Sequence, residues 1–317
     1  MQKYIIRRLF LMVPTLFGLT MLVFVMLRAM PGDIVALIAG DFGAIDAATR
    51  AAILKDFQLD QALPVQYVHW LSEMSRLDLG SSLISGRSVQ GELANRLPVT
   101  VELGVLALTL TIVLGVPIGI ISAIRQNSRV DYAGRMLAIS LLSAPSFWIA
   151  LILIAFAGRY FPWGVPPTNY VGLTEHPIGN LKLMLIPAMI LGGAGSGGIM
   201  RFTRTAMLEV LRQDYIRTAW SKGLAERTVI FRHALRNALL PVVTVIGLAV
   251  PGIVGGSVII ETVYSIPGVG RYYVSSINQL DLPVVQAINL MTAMVVVFVN
   301  LGVDIMYSWL NPRIRYS

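Results

Sequence analysis

Six long stretches of the sequence contain no charged residue, and they constrain the fold more than any other feature. Each has 18 to 23 residues, close to the roughly 20 apolar residues that a helix needs to cross a bilayer core of about 30 Å. Buried helices of soluble proteins are seldom so long and uncharged. The six predicted spans are Leu9–Leu27, Leu103–Ile124, Met136–Ala157, Leu183–Met200, Ala238–Ile260 and Leu282–Val303.

The composition agrees with this interpretation. Of the 317 residues, 56% are hydrophobic and 13% are charged, about half of the charged fraction in an average globular chain. The first stretch is longer than the core of a signal peptide, so we expect it to remain as a span. The absence of cysteine excludes a disulfide scaffold and a thiolate metal site. We therefore predict an all-α integral membrane protein with six transmembrane helices.

The positions of Lys and Arg predict the orientation in the membrane. With the N-terminus inside, the inner segments hold 16 of the 25 basic residues and only four acidic residues. Cytoplasmic segments of membrane proteins are enriched in Lys and Arg in this way. Both termini are therefore predicted to be cytoplasmic. The net charge of +8 follows from this orientation and from contact with anionic membrane lipid, and needs no nucleic acid to explain it.

We predict a single transmembrane domain over residues 1–317. Two of the connections between its spans are long. Residues 29–98 form an extracytoplasmic loop, in which Ala47–Phe57 and Val65–Leu77 show the apolar spacing of short surface helices. Residues 202–237 form a cytoplasmic hairpin. This hairpin is predicted to be helical from 201 to 221 and again from Glu226, with the chain reversing at Gly223, because glycine adopts a positive φ without steric cost.

Span four contains five glycines within residues 192–198. Glycine weakens a helix but lets another helix backbone approach closely in a bilayer. We expect close packing here, with a moving hinge as the alternative.

The sequence contains no recognisable catalytic or metal-binding constellation. Its three histidines, His69, His176 and His233, lie in different segments. There is no H-E-x-x-H motif, no G-x-S-x-G elbow and no G-x-x-x-x-G-K-[ST] phosphate loop. We predict no catalytic, metal or cofactor site in this chain, and we therefore expect that it is not an enzyme.

The interiors of the six spans also lack ionisable residues, with Glu102 and Asp304 only at span ends. Carriers that are coupled to ions usually place such residues near the membrane midplane. The pathway is therefore expected to be passive, although the residues that line it are not identified by the sequence. Small, hydroxyl and aromatic side chains are candidates: Ser140, Ser143, Ser146, Trp148 and Ser257.

Two segments of the cytoplasmic hairpin match a known sequence motif. Residues 214–224 read DYIRTAWSKGL and residues 232–241 read RHALRNALLP. This pair of segments resembles the cytoplasmic coupling motif of ABC-importer permeases, in particular the dipeptide/oligopeptide (peptide/nickel) permease family. Further segments agree in family order: YIIRRL at 4–9, PGD at 31–33, LDLGSS at 77–82, APSFW at 144–148 and GGSVIIETVYSIPGVG at 255–270. The general motif begins Glu-Ala-Ala, whereas this chain has Arg217, Thr218 and Ala219, so a contact through that glutamate is not expected here.

The resemblance implies a permease subunit of an ATP-driven importer in the bacterial plasma (inner) membrane, with di- or oligopeptides as cargo. It implies four kinds of partner: a second related permease, which is either a distinct chain or another copy, two cytoplasmic ATPases, a substrate-binding protein outside the membrane, and lipid. ATP and Mg would be bound by the ATPases and not by this chain. The residues implied in contacting the ATPase are Arg217, Thr218, Ala219, Ser221, Lys222, Gly223 and Leu224.

Two alternatives remain open on the sequence alone. Related permeases carry nickel chelates, glutathione or other peptide-like solutes, and one permease subunit does not separate these cargoes. A stand-alone secondary carrier is a more remote alternative, which predicts transport by the isolated chain.

Overall fold

The computed structural model describes residues 2–28, 60–160 and 170–310. Within these ranges the chain is almost entirely helical, and the only strand-like pairing is an isolated antiparallel bridge between Ser81 and Ser88. We number the ten helices of the described ranges in chain order: α1 Gln2–Arg28, α2 Leu63–Ser75, α3 Val89–Ile124, α4 Arg129–Ser143, α5 Ser146–Tyr160, α6 Pro177–Leu211, α7 Asp214–Ser221, α8 Glu226–Val263, α9 Val269–Asn278 and α10 Leu282–Leu310.

Five of these helices, α1, α3, α6, α8 and α10, are long and apolar enough to cross a membrane, which agrees with the predicted spans. The third predicted span, Met136–Ala157, is not one straight helix. It is divided between α4 and α5, which are bent by 94°. The break is at Ala144, which has an extended conformation because a following proline disfavours the α region. Pro145 also has no N–H to donate, so α4 cannot continue through it.

The glycine-rich part of span four lies inside the unbroken helix α6, where it packs closely against other helices. A Cβ on Gly192 would collide with the carbonyl oxygen of Ala107 in α3, and a Cβ on Gly197 would come within 2.6 Å of the carbonyl oxygen of Ala138 in α4. Both neighbours are backbone atoms. This part of α6 therefore serves close packing.

The helices are arranged in two compact units. The first consists mainly of Val99–Arg271, together with the residues from Phe298 onwards. It contains two hydrophobic clusters. One has Leu103, Met184 and Ile260 at its centre, and the other joins α3, α6 and the hairpin through Met207, Ile216 and Val229.

The second unit consists of Ile6–Pro98 and Tyr272–Val297. In it, α2 confirms the helix expected at Val65–Leu77. Tyr67 of α2 lies 2.8 Å from the hydroxyl of Thr20 and packs edge-on to the ring of Phe24, at a centroid distance of 5.4 Å. The packed face of α2 therefore carries aromatic residues, whereas Val65 and Val68 are exposed. The other predicted outer helix, Ala47–Phe57, lies outside the described residues.

Candidate functional site

The predicted cytoplasmic hairpin begins on the last turns of α6. The helix predicted over residues 201–221 is interrupted, because α6 ends at Leu211 and α7 begins at Asp214. Gln213 between them is extended, and its carbonyl accepts the first backbone hydrogen bonds of α7, from Ile216 and Arg217. The hairpin therefore contains a separate helix of eight residues, which begins with an acidic residue, as the helix dipole favours.

Helix α7 has one buried face and one exposed face. Ile216 is fully buried and Ala219, one turn later, is 7% exposed. Both belong to the hydrophobic cluster that also contains Val229 and Ala234 from the returning chain and Ala123 from α3. Because the inner face is buried in this way, α7 is held firmly to the last turns of α6, from Arg201 to Leu211, which form the stem of the hairpin. The outer face is exposed and carries Tyr215, Arg217, Thr218, Trp220 and Ser221.

The chain reverses at Gly223, as the sequence predicts. Its φ is +73°, which places it in the left-handed region that glycine adopts without strain. The N–H of Leu224 donates to the carbonyl of Ala219 at 3.4 Å, and the N–H of Gly223 donates to that of Trp220 at 2.9 Å. This pair of bonds is the Schellman motif, which closes the C-terminus of a helix.

The returning chain contains a π-helix, which the sequence analysis did not predict. After one turn of α-helix at Glu226–Thr228, Val229–Ala234 is a π-helix, and the α-helix resumes at Leu235. The buried side chains of this π segment, Val229 and Ala234 among them, pack against α7. The side-chain amide of Asn237 donates to the hydroxyl of Tyr215 at 2.9 Å, which joins the two arms of the hairpin.

The structure brings the seven predicted ATPase-contacting residues together on one turn and its flank. Six of them are exposed: Arg217, Thr218, Ser221, Lys222, Gly223 and Leu224. Ala219 is instead buried within the hairpin. Arg217 pairs with Asp214 at 3.4 Å, and both side chains are largely exposed. The hairpin thus presents a basic, partly aromatic tip with a fixed backbone conformation, although its contact with an ATPase stays a prediction.

Sequence reasoning missed a buried ion pair on the stem of the hairpin. Asp131 of α4 is fully buried and accepts hydrogen bonds from Arg204 of α6, from Nε to Oδ1 at 2.7 Å and from Nη2 to Oδ2 at 2.8 Å. In the sequence both residues count only as ordinary charges near span ends. The local signal at Asp131 is helix capping, since its N–H donates to Ser128, and this does not reveal the partner in α6.

A second buried acid, Glu261, lies at the end of α8. Its Oε2 accepts a hydrogen bond from the N–H of Arg271 at 3.1 Å, and the Thr100 hydroxyl and the N–H of Gly270 also face the carboxylate. Gly270 and Arg271 are in the first turn of α9, whose free N–H groups attract a negative charge. Glu261 therefore caps α9 from a distance of ten residues in sequence.

A third polar group involves Glu102, Tyr170 and Asn180. The Asn180 side chain is buried and donates to the carbonyl of Val171 at 3.0 Å, while Tyr170 donates to Glu102 at 3.3 Å. Burial, and then the negative charge of Glu102, raise the pKa of Tyr170 to about 12. Its hydroxyl therefore stays protonated and remains a hydrogen-bond donor at physiological pH. These contacts fasten the chain before α6 to α3.

The candidate pathway residues differ in exposure. Ser257 is buried and donates to the carbonyl of Val254 in its own helix, whereas Ser140, Ser143 and Trp148 are exposed. Their role stays a prediction. Within the described ranges, no three His, Asp or Glu residues converge as they would around a metal ion.

Comparison with known proteins agrees with this architecture. Residues 115–316 match the family model described as binding-protein-dependent transport system inner membrane component, and residues 1–104 match the model of its N-terminal region. The chain is 39% identical to the oligopeptide transport system permease protein AppB of Bacillus subtilis over 322 residues. It is 38% identical to the dipeptide transport system permease protein DppB of Escherichia coli over 341 residues. Both alignments cover the whole of each chain.

Among solved structures, an inward-facing form of the MetNI methionine ABC transporter matches with a TM-score of 0.56. The alignment covers 69% of this chain and 95% of that chain, at 15% identity, so it supports the fold alone. ABC-importer membrane components work with ATPase and binding-protein partners. The chain belongs to the binding-protein-dependent transport system inner membrane component family, and it is a multi-pass inner-membrane permease subunit of an ABC importer.

Proposed function

We propose that this permease carries di- or oligopeptides into the cell. The names of its relatives AppB and DppB, which are similar over their whole length, support peptides as the cargo. Nickel chelates, glutathione and other peptide-like solutes are the alternatives within the family. The choice rests mostly with the binding protein, which we place on the outer segment 29–98.

We further propose that the hairpin 202–237 receives the force of ATP hydrolysis. The observation that carries this proposal is that the turn at Gly223 is exposed while the inner face of α7 is buried. Gly223 allows the left-handed turn, and the hydrogen bonds that close α7 fix the backbone of the tip. Ile216 attaches α7 to a core that also includes α3 and the π segment of α8. A short helix held in this way acts as a rigid lever when it is seated in a cleft. The residues proposed to contact the ATPase are Arg217, Thr218, Ser221, Lys222 and Leu224, with Gly223 shaping the tip and Ala219 anchoring it.

The assembly that this requires has two permease subunits, two ATPases and one binding protein. The second permease would be a homologue of this chain. ATP and Mg would be held by the ATPases, because the sequence lacks a phosphate-binding loop of its own.

Replacement of Gly223 with valine tests the coupling role. A β-branched residue is disfavoured in the left-handed region, where any L-residue loses about 1–2 kcal/mol. No atom other than its chain neighbours lies within 4 Å of a Cβ built there, so the change acts through the backbone and not through a collision. In the reconstituted complex we expect ATP hydrolysis to continue while peptide uptake falls at least tenfold.

Gly223→Asn is the matched control, because asparagine tolerates the left-handed region, and it should retain most of the uptake. Uptake by Gly223→Val equal to that of the wild type would contradict the coupling role. The cargo is tested separately, by purifying the complex with its binding protein and identifying the bound ligand by mass spectrometry. Transport by the isolated chain under an ion gradient would instead favour a secondary carrier.

A further inference from the structure

Asp131, which is buried, and Arg204, which is partly exposed, are joined by more hydrogen bonds than the packing of two helices requires. Both carboxylate oxygens of Asp131 accept from the Arg204 guanidinium, and Oδ2 also accepts from the N–H of Asn127 at 3.0 Å. The Nε of Arg135, one turn further along α4, lies 3.5 Å from Oδ1. Asp131 itself is 0% exposed and the Arg204 side chain 18%.

Such a pair is costly in the interior, since two charges must leave water and are compensated only when the geometry is good. Two planar groups joined by parallel hydrogen bonds also fix direction as well as distance. The pair therefore holds α4 and α6 in one relative orientation. Apolar contacts between the same helices would allow some sliding and rotation.

The pair connects the part of α6 next to the hairpin with the beginning of the bent span. Arg204 lies on the part of α6 that continues without a break to Leu211, next to the start of α7. Met207, one turn after Arg204, is fully buried with Ile216 of α7 in the same core. On the other side, Asp131 lies in the first turn of α4, which leads to the 94° bend at Ala144–Pro145.

We propose that Asp131 and Arg204 are positioning residues that transmit movement of the coupling hairpin to α4, the first half of the bent span. When the ATPase moves α7, the stem of α6 moves with it, and the bidentate pair makes α4 follow. The bend between α4 and α5 lets this half move without dragging the whole span. This proposal rests on the proposed coupling role of the hairpin and adds the element that receives its motion.

The test separates a loss of coupling between ATP hydrolysis and uptake from a loss of stability of the complex. Asp131→Asn leaves Arg204 without its carboxylate, and Arg204→Met leaves the buried Asp131 with Arg135 at 3.5 Å as its remaining charged partner, so each single variant is expected to reduce assembly of the complex. The double variant Asp131→Asn/Arg204→Met removes both charges of the pair, and the Arg135 side chain that remains beside it is 39% exposed and can reach water. The new side-chain amide can still accept from the N–H of Asn127, so the complex should assemble. A merely structural pair would then be dispensable. We expect instead that the double variant hydrolyses ATP within twofold of the wild type and takes up peptide at least tenfold more slowly.

A second readout follows α4 directly. The chain has no cysteine, so Ala133→Cys, at an exposed position on α4, gives a single labelling site. Its rate of maleimide labelling should differ between the nucleotide-free complex and the complex locked with ATP analogue. The difference should disappear in the double variant. Arg201→Met, on the exposed side of α6, is the matched control and should preserve both uptake and the labelling difference.

Normal uptake per ATP in the double variant, or an unchanged labelling difference, would overturn the proposal. If the double variant does not assemble, Arg204→Lys decides, because lysine keeps the charge but loses the two-pronged geometry. Reduced uptake per ATP in that variant supports transmission, and full coupling overturns it. Failure of the proposed coupling role would be visible separately, as normal uptake by Gly223→Val.

Discussion

The tip of the hairpin at Gly223 and the beginning of α9 at Gly270 both depend on glycine, but for different reasons. At Gly223 the backbone requires a positive φ, and there is open space around it. At Gly270 a Cβ would lie 2.5 Å from Cα of Val258 and 2.9 Å from Oε2 of Glu261. The first glycine provides a conformation, and the second provides room.

The surroundings of the two turns differ in the same way. The hairpin tip is exposed, so its side chains are available to another molecule. The turn before α9 is fixed internally, because Glu261 caps the helix and the Arg271 guanidinium donates to the carbonyl of Ser265 at 2.6 Å. The hairpin is therefore shaped for contact and the α8–α9 turn for rigidity. Substitutions in the two places should therefore affect different measurable properties.

The largest expected effect comes from placing the same residue, alanine, at both glycines. Gly270→Ala brings Cβ against backbone that cannot move away, and it should destabilise the fold by about 3 kcal/mol, the upper part of the range for overpacking. Gly223→Ala should cost about 1–2 kcal/mol. The yield of folded protein after detergent extraction measures the difference. Equal yields would show that the two glycines do not differ as the geometry indicates.

The next effect concerns Glu261. Glu261→Ala leaves the N–H of Arg271 and the hydroxyl of Thr100 without their acceptor, which should cost about 2 kcal/mol. The Tm of the purified protein should fall by several degrees, while ATP hydrolysis per folded complex stays normal. Glu175→Ala, at an exposed carboxylate, is the control and should leave Tm unchanged. An unchanged Tm for Glu261→Ala would show that the cap does not stabilise the turn.

The same contrast explains what the sequence predicts well. The spans follow from uncharged runs of adequate length, and the reversal at Gly223 follows from the position of one glycine between two helical patterns. Both signals are local. The bend at Ala144–Pro145 also has a local cause, since proline interrupts the helix, but the uncharged run conceals it when hydropathy alone is considered.

The missed features depend on partners far away in the sequence. Asp131 is separated from Arg204 by 73 residues, so its charge pattern resembles that of any cytoplasmic segment. In the sequence, Glu261 is an acidic residue at the end of a span, and nothing indicates that α9 begins beside it. The π-helix at Val229–Ala234 lies where α8 packs against α7 before it continues as a membrane span, and no local residue pattern requires it.

A smaller effect is expected from Trp220 at the hairpin tip. Its side chain is about half exposed, at 44%, so Trp220→Ala should leave Tm nearly unchanged. Buried aromatic residues often dominate protein interfaces, and we expect the ATPase to bind about tenfold more weakly, which corresponds to about 1.4 kcal/mol. Binding of purified ATPase to the permease in nanodiscs measures this. Ile178→Ala, an exposed apolar residue at the other end of α6, should not change the affinity, and an unaffected Trp220→Ala variant would argue against a contact at this side chain.

The smallest effect is expected at Asp214, and it isolates the role of burial. Asp214 and Arg217 form an ion pair at 3.4 Å, with side chains 95% and 75% exposed. Water screens such a pair, so Asp214→Asn should change the free energy of unfolding by less than about 1 kcal/mol, including the loss of a negative charge at the start of α7. The same substitution at the buried Asp131 should cost about 3 kcal/mol, because Arg204 loses its carboxylate partner. Chemical denaturation of the two variants in parallel provides the measurement. If Asp214→Asn is as destabilising as Asp131→Asn, the hairpin face contributes to the stability of the fold itself, and its exposed charges are not reserved for a partner.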